Sequence, residues 1–158
     1  MKVYLSGAIE QAENDGADWR NELSIFLEER LGHEVIDPVK LSDHLIQSEN
    51  AEGFRSWKKS DLQRFKSFMR KIIKQDIMGV TTADYTICLW NRAVEKGGGT
   101  QGEITLSWIK QVPVYLVYEG DIEDLSSWII GCTTEIFPDF ADLKHFLLKN
   151  FGGRHAGT

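Results

Sequence analysis

Three glycines and a threonine stand just before a glutamate in the run Gly97-Gly98-Gly99-Thr100-Gln101-Gly102-Glu103. A glycine run loosens the backbone and disfavours helix, yet the residues from Thr100 to Gln111 have a helical pattern. A sequence accepts that cost where something must come close to the backbone. A helix N-terminus presents free N–H groups that attract anions. Glycines remove side chains that would block a phosphate, and Thr100 adds a hydroxyl donor. On this reading Gly97, Gly98, Gly99 and Thr100 cradle a phosphate or a sugar. The same spacing also fits a flexible connection ended by a Thr100 N-cap, with Glu103 as its capping-box partner. The glycine order matches neither a Walker loop nor the GxGxxG dinucleotide fingerprint.

Two further carboxylates bear on the chemistry. Asp76 lies beside an apolar helical stripe near a helix end, where a carboxylate has no obvious structural use. Asp84 lies where the next strand begins, and capping of the strand start accounts for it better than substrate binding does. One carboxylate acting as nucleophile and another as proton donor is what cleavage of a glycosidic bond needs. The four histidines, His33, His44, His145 and His155, show no metal-ligand spacing. No metal or other cofactor is expected. Cys88 and Cys132 lie inside apolar segments and are expected as buried thiols rather than a disulfide.

These residues need a scaffold, and 158 residues suffice for one domain with a single core. Lys2–Ser6 is β-rich and followed at once by Gly7. "DGADWRNELSIFLEERLG" predicts a helix, with Trp19, Leu23, Phe26, Leu27 and Leu31 at helical spacing and Gly32 as its stop. "HEVIDP" predicts a short strand closed by Pro38. Val39–Gly53 has no clear period and is expected as a loop with a helical turn. From Ser60 a helix carries the stripe Leu62, Phe65, Met69, Ile72, Ile73 and Ile77. Its basic flank, Arg64 to Lys74, is a solvated face or an aid to phosphate binding. Ala83–Trp90 is a nearly continuous apolar run, as in a central parallel strand. A loop, the helix after the glycines and the strand "VPVYLVY" follow. A short strand and a closing helix with Phe140, Leu143, Phe146 and Leu147 end the domain at residue 151, and residues 152–158 are expected as a frayed tail.

Alternating strands and helices predict a single α/β domain with a mostly parallel five-stranded sheet and helices on both faces. Ligands in such sheets bind beyond the carboxyl ends of the strands, where the strand order reverses. Ser6–Glu10, the segment from Pro38 and Trp90–Glu103 fall at that edge. The net charge of −6 argues against a nucleic-acid polymer as partner. No apolar run reaches the roughly 18 residues of a membrane span. The opening "MKVYLSGAIE" looks like a strand rather than a signal peptide, so a cytoplasmic protein is expected.

In four places the chain resembles the nucleoside 2-deoxyribosyltransferase family and its hydrolase relatives that act on deoxynucleoside 5′-monophosphates. "VYLSGAIE" resembles the family's first strand and substrate loop. "QDIMGVTTADYTICLW" resembles its pattern of two aspartates separated by seven residues and running into a strand. "GGGTQGEI" resembles its Gly-Thr-x-x-Glu motif, and "QVPVYLVY" the strand that follows. The resemblance covers roughly Lys2 to Tyr118. It implies the flavodoxin-like or Rossmann-like fold of N-(deoxy)ribosyltransferases and at least a homodimer. It implies Glu103 as the nucleophile of a covalent glycosyl-enzyme and Asp76 as the residue that protonates or orients the base. Tyr4, Ser6 and Gly7 would line the sugar and base pocket. Gly97 stands where transferases acting on free nucleosides usually carry a sugar-contacting aspartate, which favours a nucleotide substrate. The run also resembles the glycine-rich motif of phosphoribohydrolases that release cytokinin bases, without its proline.

The expected function is therefore cleavage of the N-glycosidic bond of a nucleoside or nucleotide, with water or a second base as acceptor. A non-catalytic nucleotide-binding module on the same fold is the alternative. A flavodoxin-like electron carrier fits less well, because the first loop lacks a Ser/Thr/Gly-rich phosphate turn. Trp90 and Trp57 are candidates to stack on a base, although packing is the commoner use of tryptophan.

Overall fold

The structure, a computed structural model, describes residues 1–152. Of the expected tail, only Gly152 falls within the described residues. Five strands form one sheet in the order β2-β1-β3-β4-β5: β1 (Lys2–Gly7), β2 (Glu34–Ile36), β3 (Tyr85–Leu89), β4 (Val114–Val117) and β5 (Glu135–Phe137). All four pairings are parallel. The order reverses between β1 and β3, which places the ligand crevice at their carboxyl ends.

Period-2 alternation sorts the strand side chains between two helical layers. Val3 and Leu5 of β1, with Tyr85 and Ile87 of β3, meet Leu23, Leu27 and Leu31 of α1 (Ala17–Leu31) and Leu143 and Leu147 of α8 (Phe140–Phe151). The opposite face carries Tyr4, Cys88 and Leu116. It packs under α4 (Leu62–Thr82), α6 (Gly99–Ile109) and α7 (Ser127–Cys132). Gly32 ends α1 in a left-handed conformation at φ 63, and its N–H returns to the Glu28 carbonyl at 3.0 Å. This is the glycine stop that the sequence marks.

Three segments differ from expectation. The second strand is shorter than "HEVIDP", and Val39–Gly53 is mainly helix: α2 spans Pro38–Ser48. Asp37 caps it by accepting a hydrogen bond from the Val39 N–H at 2.9 Å, and Pro38 occupies the first turn. Proline there closes no strand; its missing N–H and fixed φ suit a helix start. Helix α2 leans on a satellite cluster formed by Phe54, Phe68 and Ile72, which Leu45 and Ile46 join. The expected loop after β3 contains the short α5 (Arg92–Glu95), capped by Asn91. The turn at Trp57–Ser60 is α3, which precedes α4.

Candidate active site

A cavity of about 470 Å³ opens at the carboxyl ends of β1 and β3, a size ordinary for small-molecule sites. Its walls are the β1 loop from Gly7 to Gln11, helix α2 and the segment around Phe54. Helix α4 contributes Phe65, Met69, Ile72 and Asp76, and the start of α6 contributes Gly97, Gly98, Gly99, Thr100 and Glu103. On α4 the spacing 65-69-72-76 is one helical stripe. It is apolar at the outer end and carries the carboxyl of Asp76 at the other.

Helix α6 starts at Gly99 with Gly98 as N-cap, and no side chain caps it. Thr100 is therefore not the N-cap, and the capping box with Glu103, the alternative reading of this run, does not form. Glu103 lies a further turn along α6 and reaches across to β1 instead. Tyr4 Oη donates to Glu103 Oε1 at 3.0 Å, and Ser6 Oγ donates to Oε2 at 2.5 Å. Tyr4 and Ser6 are two apart on a strand, so they share the face turned toward α4 and α6. Both are fully buried. They hold Glu103 from beneath rather than lining the cavity wall, which corrects the role expected for them.

The glycines divide by purpose. Gly7 is required by packing, because a Cβ there would lie 2.9 Å from Trp19 Cζ2 and 3.2 Å from Arg20 Nη2. Gly98 and Gly99 have no such neighbour within 4 Å, and neither adopts positive φ. Neither sterics nor backbone conformation explains a glycine at these two positions, which leaves clear space at the first turn of α6.

The two carboxyls differ in how they are served. Glu103 has a hydroxyl donor on each oxygen. Asp76 Oδ1 is buried without a hydrogen-bond partner. Burial, then the nearby Glu103 charge, pushes the Asp76 carboxyl up to about 7; the Tyr4 hydroxyl and Arg20 act against the rise. Burial also pushes Glu103 upward, against the pull of Ser6, Tyr4 and Arg20. An unpartnered buried oxygen is tolerable on a neutral acid and costly on a carboxylate. The proton therefore belongs on Asp76 and the negative charge on Glu103. Burial keeps the Tyr4 phenol protonated, and hence a donor.

Arg20 is the residue that sequence reasoning missed. It lies fully buried on α1 beneath the site. Its guanidinium donates to the carbonyls of Gly7 (2.8 Å), Gly16 (2.9 Å), Leu5 (3.3 Å), Asp15 (3.3 Å) and Ala8 (3.4 Å). Its Nε lies 3.8 Å from the buried Asp37 carboxylate. One side chain thus fixes the β1 loop and ties it to the cap of α2. The signal was available: Arg20 shares a helical face with Leu23, Leu27 and Leu31, so a charge interrupts an apolar stripe.

Two expected substrate residues are elsewhere. Asp84 sits at the opposite, amino-terminal edge of the sheet, where it accepts the Lys2 N–H at 2.6 Å. Trp90 is only 5% exposed and packs with Val94 and Ile104, bordering a separate depression. The basic flank of α4 turns away from the cavity: Lys71 pairs with Glu49, and Arg64 stacks on Trp57 at 3.7 Å. Trp57 belongs to the satellite cluster rather than the cavity wall. Among the described residues no group of three or more His, Cys, Asp or Glu converges to hold a metal ion, and no helix is long and apolar enough to cross a membrane.

No protein-family model matches the sequence, and no curated protein matches it. Solved structures do match. A 2-deoxyribosyltransferase from Bacillus psychrosaccharolyticus superposes with a TM-score of 0.66 at 21% identity, over 96% of each chain. The chain has the nucleoside deoxyribosyltransferase fold. The CMP N-glycosidase of Clostridium botulinum matches at TM-score 0.55 and 18% identity, over 93% of this chain and 98% of that one. A conserved protein from Enterococcus faecalis matches at TM-score 0.61 and 15% identity, over 95% and 98%. The shared architecture agrees with the resemblance read from the motifs.

Proposed function

We propose that this protein cleaves the N-glycosidic bond of a nucleoside or nucleotide, with Glu103 as nucleophile and Asp76 as proton donor. The observation that carries the proposal is the pairing inside one cavity. Glu103 is anchored by two buried hydroxyls, and beside it stands a carboxyl held up to about 7 with an orphaned oxygen. Chemistry of this kind needs one carboxylate charged and one protonated. Two enzymes that act on such bonds, a 2-deoxyribosyltransferase and a CMP N-glycosidase, share the fold.

Glu103 attacks the anomeric carbon as the bond to the base nitrogen breaks, and the bonding electrons leave with the base. Asp76 delivers its proton to the base, so a neutral molecule departs. The resulting ester on Glu103 is then opened at the same carbon by water or by a second base, and ionised Asp76 accepts the proton released. The clear space at Gly98 and Gly99, at the first turn of α6, suits the 5′-phosphate of a nucleotide. Lys96 borders the same wall.

The test is incubation with a panel of nucleosides and 5′-monophosphates, with chromatographic detection of free base. Release of base from at least one class is expected. A melting temperature raised by nucleotide with no base released would instead identify a binding module.

A further inference from the structure

We propose that Gly79 is a positioning residue for the nucleophile: the missing side chain at this point of α4 seats the Tyr4 ring so that its hydroxyl meets Glu103. This rests on the role proposed above for the two carboxyls.

Gly79 is buried in the interior of α4, where glycine weakens a helix relative to alanine. Its conformation is ordinary and helical, so the backbone does not require it. Space does. A Cβ at this position would lie 2.7 Å from Tyr4 Cε2, 2.8 Å from Tyr4 Cδ2 and 3.1 Å from Ile36 Cγ2. Ordinary contact begins at 3.4 Å, so the ring would have to retreat by about 0.7 Å. It has little room to do so. Tyr4 is fully buried on the central strand, among Val80, Ala83, Ile36, Leu106 and Val112.

Asp76 precedes Gly79 by three residues and so lies on the same face of α4. One helix face therefore presents a gap for the ring and, one turn earlier, the Asp76 carboxyl. The Tyr4 hydroxyl donates to Glu103 from α6 at 3.0 Å. The phenol that anchors Glu103 is thus seated by an absent methyl group on α4. The groups facing Glu103 are Tyr4 and Ser6 from β1, Arg20 from α1, Asp76 from α4 and Cys88 from β3. Of these, Tyr4 is the one that Gly79 touches.

The experiment is a double-mutant cycle of Gly79→Ala and Tyr4→Phe in the full chain, read in two ways. Carboxyl-carbon NMR titration needs no substrate. The Tyr4 hydrogen bond holds the Glu103 carboxyl down, so Gly79→Ala is expected to move the Glu103 titration upward. In the Tyr4→Phe background, where no hydroxyl remains, Gly79→Ala should move it no further. Base release should fall about 10²-fold in kcat, as for a catalytic group displaced by about an ångström, with KM little changed. The acid limb of its pH profile should move to higher pH. A Glu103 titration that stays put in Gly79→Ala, or that moves equally in both backgrounds, overturns the proposal. A chain that releases no base from any substrate overturns the proposed function, while the NMR titration still decides the role of Gly79. If Gly79→Ala fails to fold, it should be no less stable than Tyr4→Val alone when combined with Tyr4→Val, which removes the ring. A double variant less stable than Tyr4→Val overturns the proposal.

Discussion

Replacing Asp76 by asparagine separates the catalytic use of this residue from its structural cost. Its carboxyl is raised from 3.8 to about 7 by burial and by the charge on Glu103. Ionising it in the folded chain is thus unfavourable by up to about 4 kcal/mol. Asp76 is half-buried, and water at the cavity mouth screens part of this, so about 2–4 kcal/mol is the expected range. The sign follows from linkage: the folded state keeps a proton that the unfolded chain gives up. Wild-type stability from this group therefore falls as pH rises from about 4 to about 7. Asparagine resembles the protonated acid and has nothing to ionise. The gap between Asp76→Asn and wild type should widen in the variant's favour across that interval and level off above it. Urea unfolding at pH 5 and pH 8 reads the gap directly. Base release by the same variant should fall about 10²–10⁴-fold, the usual worth of a general acid. A stability gap that is the same at both pH values would refute the protonated state assigned to Asp76. Wild-type turnover should also decline above about pH 7, and that limb should be absent from whatever activity remains in Asp76→Asn.

Further outcomes follow from the same geometry. The wild type should turn over 5′-monophosphates with higher kcat/KM than free nucleosides. Gly97→Asp, whose Cβ meets only the Val94 carbonyl at 3.9 Å, should reduce that advantage by repelling phosphate. Equal or better wild-type turnover of free nucleosides would contradict the phosphate subsite. Arg20→Met should destabilise the chain by about 3–5 kcal/mol in urea unfolding, because it strands the buried Asp37 carboxylate and the carbonyls of the β1 loop; a loss below about 1 kcal/mol would show the network to be dispensable. Trp108 of α6 and Trp128 of α7 are 59% and 65% exposed, on helices that lie side by side and are joined by the Trp128 Nε1 bond to Thr105 Oγ1 at 2.9 Å. Light scattering should find a homo-oligomer that Trp108→Glu weakens, and a monomeric wild type would contradict this.

The sheet was legible because its strands are apolar on both sides, as in Ala83–Trp90, and because glycines punctuate the chain at Gly7 and Gly32. Glu103 and Asp76 stood out by their surroundings, one after a glycine run and one beside an apolar stripe. Helix α2 was hidden because Asp37-Pro38 can end a strand as readily as start a helix. What decides is burial against Phe54 and Phe68, supplied by later sequence. The roles of Tyr4 and Ser6 were inverted for a related reason. Strand alternation gives the face of a residue, but only the packing of α4 and α6 over that face shows it to lie beneath the cavity. Asp84 and Asp76 look equivalent as a motif. The parallel sheet places them at different levels, because Asp84 precedes β3 while the site lies beyond its carboxyl end. Arg20 needed the fold, since the carbonyls that satisfy it come from β1 and the loop leading to α1.

The most direct test of the account is base release by Glu103→Gln beside the wild type, on the substrate that the wild type cleaves best. Glutamine keeps the hydrogen bonds to Tyr4 and Ser6 within reach but cannot act as the nucleophile. A folded variant whose base release falls at least ~10³-fold is the predicted result, in line with the loss of other enzymic nucleophiles. A folded Glu103→Gln protein that releases base at close to the wild-type rate would contradict the central claim and return Glu103 to a purely structural role.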